Sequence, residues 1–300
     1  MERIIKDFLS QFPQAEVREN EPMANHTSFR IGGPVRAMVL PKTEEETECI
    51  LRLARNRGAR TLVIGNGTNL LVSDKPLNML VIKTNDGLSD VSVEGDTVTA
   101  AAGILLSKLA VFALNHGLTG LEFAHGIPGT LGGAVMMNGG AYGGEMKQVV
   151  ESTRALCGDM ETRVFCGDEN DFSYRHSRYT GTDDIVLSAR IKLTEGEPDE
   201  IKAKMDELSA RRRQSQPLNM PSAGSFFKRP VGNFAGTLID KSGLKGYSVG
   251  GAQVSEKHAG FIVNTGGATF NDVLRLMEHV QKTVFELHGV SLEPEVRIVR

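Results

Sequence analysis

The sequence predicts a mixed α/β or α+β chain. Helix-like and strand-like stretches are interleaved, yet no regular strand–helix–strand beat runs through them. Hydrophobic periodicity switches repeatedly between helical and alternating spacing. Glycine, 33 of 300 residues, is gathered into clusters rather than spread evenly. Clustered glycine marks backbone that approaches something closely.

The elements follow in order. Residues 1–12 set Ile4, Ile5, Phe8, Leu9 and Phe12 on one helical face. A polar stretch follows, then a strand over 35–40 closed by Pro41. Thr43 and Glu46 form a capping-box pattern opening a helix with Ile50, Leu51 and Ala54, stopped near Gly58. Strands are predicted at 61–64 and 79–83, and a hairpin over 91–102 turning at Glu94-Gly95-Asp96. Ser107 is the expected cap of a helix ending near Gly117. Within the glycine-rich stretch 126–144, Ala134–Met137 reads as a short strand of small residues. Two strands are expected within 151–166 and one over 185–193. A helix over about 199–213 turns Ile201, Met205 and Leu208 inward. Composition shifts there, so a domain boundary is set near 200. A short helix near 236–242 and strands within 247–263 come next. The helix at 271–288 buries Val273, Leu274, Met277, Val280, Val284 and Leu287, with Gly289 ending it. Glu295–Val299 is the last strand.

Composition excludes several functions. Lys plus Arg is 34 and Asp plus Glu is 37, a net charge of −3. A general nucleic-acid or anionic-membrane binder needs a basic excess, so neither partner is expected. No apolar run reaches the roughly 18 residues of a membrane helix, and the amphipathic start is unlike a signal peptide. Cys49, Cys157 and Cys166 make an odd number without a CxxC pair. That argues against a disulfide framework or zinc site and for a reducing compartment. The seven histidines form no HExxH or close cluster, so no metal is expected.

Two loops hold most of the functional signal. Gly65-Asn66-Gly67-Thr68-Asn69 follows a buried strand. It is no dinucleotide fingerprint, since Leu70 stands where a third glycine belongs, and no P-loop, since no Lys-Ser/Thr pair follows. Alone, it is a turn or an anion site. The second loop packs four glycines into residues 126–133 and continues as Asn138-Gly139-Gly140-Ala141-Tyr142-Gly143-Gly144. Two such loops without a compensating lysine suit a pyrophosphate held by backbone amides.

These stretches, with their neighbours, carry a specific resemblance. NHTSFRIGG (25–33), VIGNGTNLL (63–71), GIPGTLGGAVMMNGGAYGGE (126–145), FSYRHSRY (172–179), AGSFFKRP (223–230), GTLIDKSGLKGYSVGGAQVSEKHAGFIVN (236–264) and LEPEVRIV (292–299) run in order along nearly the whole chain. The chain thereby resembles the UDP-N-acetylenolpyruvoylglucosamine reductases. The resemblance implies the FAD-binding fold of the vanillyl-alcohol oxidase type, with two α/β subdomains over about 1–90 and 91–200. A C-terminal α+β substrate-binding domain would occupy 201–300. The interval from Arg175 to Ser225 has little room for the tyrosine-bearing insertion of the longer class, so the chain resembles the shorter one.

The implied activity is NADPH-dependent reduction of UDP-N-acetylglucosamine enolpyruvate to UDP-N-acetylmuramate through FAD, a step toward peptidoglycan. FAD would be bound non-covalently, although His125 stands beside the second loop. The implied FAD contacts are Ile64, Gly65, Asn66, Gly67, Thr68, Asn69 and Leu70. They continue with Gly126, Ile127, Pro128, Gly129, Thr130, Gly132 and Gly133, then Asn138, Gly140, Ala141 and Tyr142. A cytoplasmic monomer acting on a nucleotide sugar is expected.

Three residues are implied in the chemistry. Ser225 would protonate the enolpyruvyl carbon; a serine is a weak acid and needs a cation or water relay. Arg175 has a planar fork suited to the substrate carboxylate. Glu295, fixed by the preceding Pro294, would assist if its pKa were raised. Tyr174, Lys228, Lys245, Gln253 and Asn264 are the candidate substrate contacts. Arg178, Glu293 and most of Arg213, Arg229 and Lys257 read as structural or solvated. The rival readings are another FAD-dependent oxidoreductase on the same scaffold and a non-catalytic nucleotide-binding module.

Overall fold

A computed structural model of the chain describes residues 1–84 and 87–300. The chain forms two compact units, each assembled from separate stretches. The first comprises Met1–Glu19, Ala37–Asn66 and Met79–Arg211; the second comprises Asn20–Arg36, Gly67–Asn78 and Arg212–Arg300. Two early stretches therefore fold with the C-terminal third.

The first unit has two hydrophobic cores. In one, α1 (Glu2–Gln11) and α2 (Glu44–Asn56) pack beside a parallel pair in which Thr61–Ile64 runs along Leu77–Lys83. Ile4, Phe8, Ile50, Leu51, Leu80 and Ile82 are buried there. Removing each such side chain from water contributes about 1.5–3 kcal/mol. Thr43 caps α2 as expected, accepting from the Glu46 N–H at 3.1 Å. The Glu46 carboxylate accepts instead from the Lys42 N–H, one residue before the cap.

The other core lies under five antiparallel strands, in the order Thr162–Cys166, Val150–Leu156, Ile185–Lys192, Thr97–Ala101, Val91–Glu94. Glu94 pairs with Thr97, so Gly95-Asp96 is a two-residue hairpin turn with Gly95 at φ +58°. The helix α3 (Leu106–Asn115) starts at Leu105 without a side-chain cap. Ser107 lies inside it, which corrects the expected cap. Tertiary pairing sets this start: Leu106 donates to Gly129 O and Leu131 to Ile104 O. Ala134–Met137 is also not a strand. The helix α4 (Leu131–Met136) occupies that place, and Thr130 Oγ1 accepts the Gly133 N–H to begin it. A cap decides a four-residue run whose periodicity is ambiguous. The long helix α5 (Pro198–Ser215) buries Ile201, Met205 and Leu208, as expected.

In the second unit, four antiparallel strands are ordered Ser222–Ser225, Phe261–Asn264, Ala252–Val254, Ser248–Val249. The helices α6 (Ala235–Lys241) and α7 (Phe270–His288) supply the rest of its core, with Phe29, Phe226 and Val280 fully buried. Thr269 and Asp272 close a capping box on α7, and Gly289 ends it at φ +67°. Leu276 joins the buried stripe, Leu274 is half-buried, and Leu287 is exposed, contrary to expectation. Leu287 is on the apolar face by spacing, but it falls in the last turn, past the core. The final strand, Arg297–Val299, runs parallel to Leu70–Val72.

No helix among the described residues is long and apolar enough to cross a membrane. No cluster of three or more His, Cys, Asp or Glu that could hold a metal occurs among them.

Candidate active site

In the first unit Gly65-Asn66, the start of the first glycine loop, meets the second loop. Asn66 Nδ2 donates to Pro128 O at 2.7 Å. A Cβ on Gly65 would overlap Thr130 Oγ1. Among the described residues, the backbone N–H groups of Gly65, Asn66, Gly129 and Thr130 have no acceptor within the protein. Backbone donors are rarely left unpaired unless solvent or a ligand takes them. Four such groups on two touching loops fit an anionic ligand, and the FAD pyrophosphate is such a group. Ile64 and Leu70 are buried core residues flanking the loop.

Most of the glycines answer to the protein itself, not to bare backbone against a ligand. A Cβ on Gly67 would overlap His26 O, on Gly132 it would come within 2.9 Å of Ala102 Cβ, and on Gly144 within 2.5 Å of the Phe123 ring. Gly140 is closed off by Gly144 and Glu145. Gly133 and Gly143 are exceptions, both exposed, the first with Thr130 Oγ1 as its nearest neighbour and the second at φ +91° with open space around it. The glycine density therefore reflects tight loop-on-loop packing as well as any cofactor contact. Tyr142 is 39 % exposed at the tip of a hairpin, with the Arg211 guanidinium 5.3 Å from its ring centre. His125 is engaged with Ser209 Oγ at 3.2 Å.

Arg175 sits in a two-residue turn. Ser173 and His176 exchange backbone hydrogen bonds of 3.1 and 3.2 Å, leaving Tyr174 and Arg175 at the tip. Arg175 is held at φ +55°. A left-handed non-glycine residue costs about 1–2 kcal/mol, which the surroundings must offset. They do so in several places. Asn138 Nδ2 donates to Ser173 O at 3.0 Å, and Ser177 Oγ donates to Met136 O at 2.8 Å. Tyr179 is buried, its hydroxyl bonded to Thr153, which in turn donates to Asn170 Oδ1 at 2.6 Å. Burial pushes the Tyr179 hydroxyl up to about 12. Arg178 is structural, with its guanidinium over the Phe165 ring and bonded to Glu169 O. Asn138 itself is buried and fully bonded, so its side chain serves the protein interior.

Ser225 and Glu295 belong to the second unit. Ser225 is exposed at the end of its strand, opposite Phe261 and after Gly224 at φ +79°. The next residue, Phe226, ties the two together: its N–H donates to Gly260 O and its carbonyl accepts the Glu295 N–H, both at 2.8 Å. Lys228 N–H donates to Glu293 O at 2.8 Å, extending this pairing. Phe226 and Phe227 are buried against each other at 5.2 Å between ring centres. A serine hydroxyl and a carboxylate are thus carried on adjacent paired backbone. His258 Nδ1 accepts the Gly260 N–H at 3.1 Å, and burial lowers the pKa of this ring, which favours the neutral acceptor.

The cationic candidates are already engaged. Lys228 pairs with Glu293 at 3.4 Å and Lys245 with Asp240 at 2.8 Å, both at the surface. Gln253 donates to Gly246 O and to Ser248 Oγ. Asn264 is buried and bonded to Phe29 O, Gly266 N–H and Ala268 N–H, so its side chain shapes the 264–268 turn. Sequence reasoning missed Glu145 and Ser173, the partners of Asn138. A carboxylate directly after a glycine run was the available signal.

The chain is 50 % identical over 300 residues to the UDP-N-acetylenolpyruvoylglucosamine reductase of Caldanaerobacter subterraneus subsp. tengcongensis, covering all of this chain and 99 % of that one. The chain belongs to the UDP-N-acetylenolpyruvoylglucosamine reductase family. The reductase of Clostridioides difficile is 45 % identical over 98 % of this chain and 96 % of its own. Residues 216–299 match the C-terminal domain family of these reductases, and residues 35–165 match an FAD binding domain family. The crystal structure of the Thermus caldophilus reductase superposes with a TM-score of 0.82 at 36 % identity, covering 96 % of this chain and 99 % of that one. An alkyldihydroxyacetonephosphate synthase covers 64 % of this chain and 40 % of its own at TM-score 0.51 and 17 % identity, a likeness of fold alone. The family's FAD-binding fold and its C-terminal α+β domain are therefore those of this chain.

Proposed function

We propose that this chain reduces UDP-N-acetylglucosamine enolpyruvate to UDP-N-acetylmuramate with NADPH and a non-covalently held FAD. The observation that carries the reading is the backbone pairing of Phe226 with Glu295, which sets Ser225 and Glu295 on neighbouring segments. FAD, when bound, supplies the hydride chemistry between NADPH and the enolpyruvyl carbon. Gly65, Asn66, Gly129 and Thr130 would hold its pyrophosphate through backbone N–H groups. Arg175 binds the substrate carboxylate and spreads the charge that builds beside it. Ser225 delivers a proton to the second enolpyruvyl carbon, and Glu295 steadies the intermediate. Tyr174, Lys228 and Lys245 bind the nucleotide sugar, the lysines by leaving Glu293 and Asp240 for its diphosphate. Gln253 lends a polar contact.

The reading includes a monomer in the cytoplasm, in keeping with three free cysteines. One anaerobic titration tests the function. Flavin absorbance should bleach with one equivalent of NADPH and return on adding UDP-N-acetylglucosamine enolpyruvate. Bleaching without return rejects the substrate; a colourless protein that takes up no FAD rejects the flavoenzyme.

A further inference from the structure

Asn138 lies at the end of α4, where the second glycine loop begins its hairpin. It is 1 % exposed and held at φ +41°, a conformation asparagine tolerates better than most residues. Its side chain spends every hydrogen-bonding group on a different partner. Oδ1 accepts the Lys147 N–H at 2.9 Å. Nδ2 donates to Glu145 Oε2 at 2.8 Å and to Ser173 O at 3.0 Å. The first two partners lie in the glycine hairpin or in the turn directly after it. The third does not: it is the base of the two-residue turn whose tip is Tyr174-Arg175. Asn138 therefore fastens the Arg175 turn to the glycine loop through one neutral hydrogen bond from a buried amide to a part-buried carbonyl.

The bond has a defined mechanical effect. Ser173 and His176 are the closing pair of the turn, and Arg175 sits within it in a strained left-handed conformation. Ser177 anchors the far side of the segment to Met136 O. Without the Asn138 donor, the near side keeps the packing of Phe172 but loses its polar tie, and the Ser173 carbonyl loses a buried partner. The base of the turn that carries Arg175 is thereby loosened.

We infer that Asn138 is a positioning residue of the reductase reaction, acting through Arg175 by holding the Ser173 carbonyl. The inference rests on the proposed role of Arg175 at the substrate carboxylate. It differs from a cofactor contact by the Asn138 side chain, because both amide hydrogens and Oδ1 are engaged within the protein.

A double-mutant cycle on the FAD-loaded enzyme tests this. Rates of flavin reoxidation by UDP-N-acetylglucosamine enolpyruvate are measured after reduction by NADPH, for wild type, N138A, R175A and N138A/R175A. The expected losses are about five- to tenfold for N138A and about 10²-fold or more for R175A. The double variant should be no slower than R175A within about twofold, because a group acting only through Arg175 has nothing further to lose. Losses that multiply overturn the inference. So does a wild-type rate in N138A beside a slow R175A. A wild-type rate in R175A rejects instead the role of Arg175 on which the inference rests.

A second variant guards against misfolding. In N138D/E145Q, the carboxylate introduced at position 138 still accepts from the Lys147 N–H. The amide introduced at position 145 donates to that carboxylate, restoring their link in reverse. The donation to Ser173 O is replaced by an oxygen–oxygen contact, and the exposed pair of Glu145 with Lys147 Nζ, worth little at the surface, goes with it. The same five- to tenfold slowing, on the order of one hydrogen bond, is expected. If neither variant folds and retains FAD, the bond serves the stability of the unit and the positioning role is rejected.

Discussion

Asn69, the last residue of the first glycine loop, donates its side-chain amide to the carbonyl of Glu295 at 3.1 Å. Its own carbonyl accepts the Arg297 N–H at 3.0 Å. Within the second unit Asn69 thus fixes the segment of Glu295, and within the first unit Asn138 fixes that of Arg175. In both cases an asparagine at the end of a loop read as a cofactor site bonds to the protein itself. Replacing Asn69 with alanine should slow flavin reoxidation by substrate about fivefold, the scale of one neutral hydrogen bond. Stopped-flow absorbance decides it, and an unchanged rate would show that Pro294 and the Phe226 pairing suffice to hold Glu295.

Ser225→Ala separates the two half-reactions. Flavin reduction by NADPH does not need the hydroxyl and should stay within about twofold of wild type. Reoxidation by substrate should fall by about 10²–10⁴-fold, the usual worth of a positioned proton donor. Equal loss in both halves would remove Ser225 from the proton-donor role.

Gly65→Ala tests the contact between the loops. Its methyl group would overlap Thr130 Oγ1, the atom that caps α4. Relief requires moving the cap or the loop, at about 1–3 kcal/mol. The expected result is a lower thermal midpoint and flavin released on gel filtration. Full flavin retention with an unchanged midpoint would mean that Thr130 can turn away freely.

Lys245→Ala distinguishes binding from stability. Its pair with Asp240 is at the surface, worth at most about 1 kcal/mol. The melting point should barely move. If Lys245 meets the substrate diphosphate, KM for the nucleotide sugar should rise about tenfold with kcat nearly constant. An unchanged KM assigns Lys245 to the solvated surface.

Asp272 links stability to pH. The Thr269 backbone N–H, helped by the Thr269 hydroxyl and Arg275, holds its carboxyl below the ordinary value of 3.8. A carboxyl with a depressed folded-state pKa contributes stability above its unfolded value. That contribution is lost as pH falls below 3.8 through the lower folded value. Thermal midpoints should therefore fall more steeply for wild type than for Asp272→Asn as pH drops from about 5 to about 2.5. Parallel curves would show that the cap carries no charge-dependent share.

The amino-acid sequence by itself determined the mixed α and β character, the Thr43 cap, the Gly95-Asp96 hairpin, and the inward faces of α5 and of most of α7. Each depends on residues within one or two turns of each other, so a short window holds the whole signal. The ordered motifs also named the family. Only the tertiary structure decided the rest. Thr130 makes a helix of a run read as a strand, and pairing with the 129–131 segment starts α3 one residue before the serine expected to cap it. Gly65 and Gly67 are glycines because Thr130 and His26 stand against them, 65 and 41 positions away. Asn138 reaches Ser173 and Asn69 reaches Glu295 across 35 and 226 positions. A side-chain amide looks the same in sequence whether it faces a ligand or a carbonyl of its own chain. The choice is made by which backbone the fold brings within about 3 Å, and that is a property of the packed chain rather than of any local stretch.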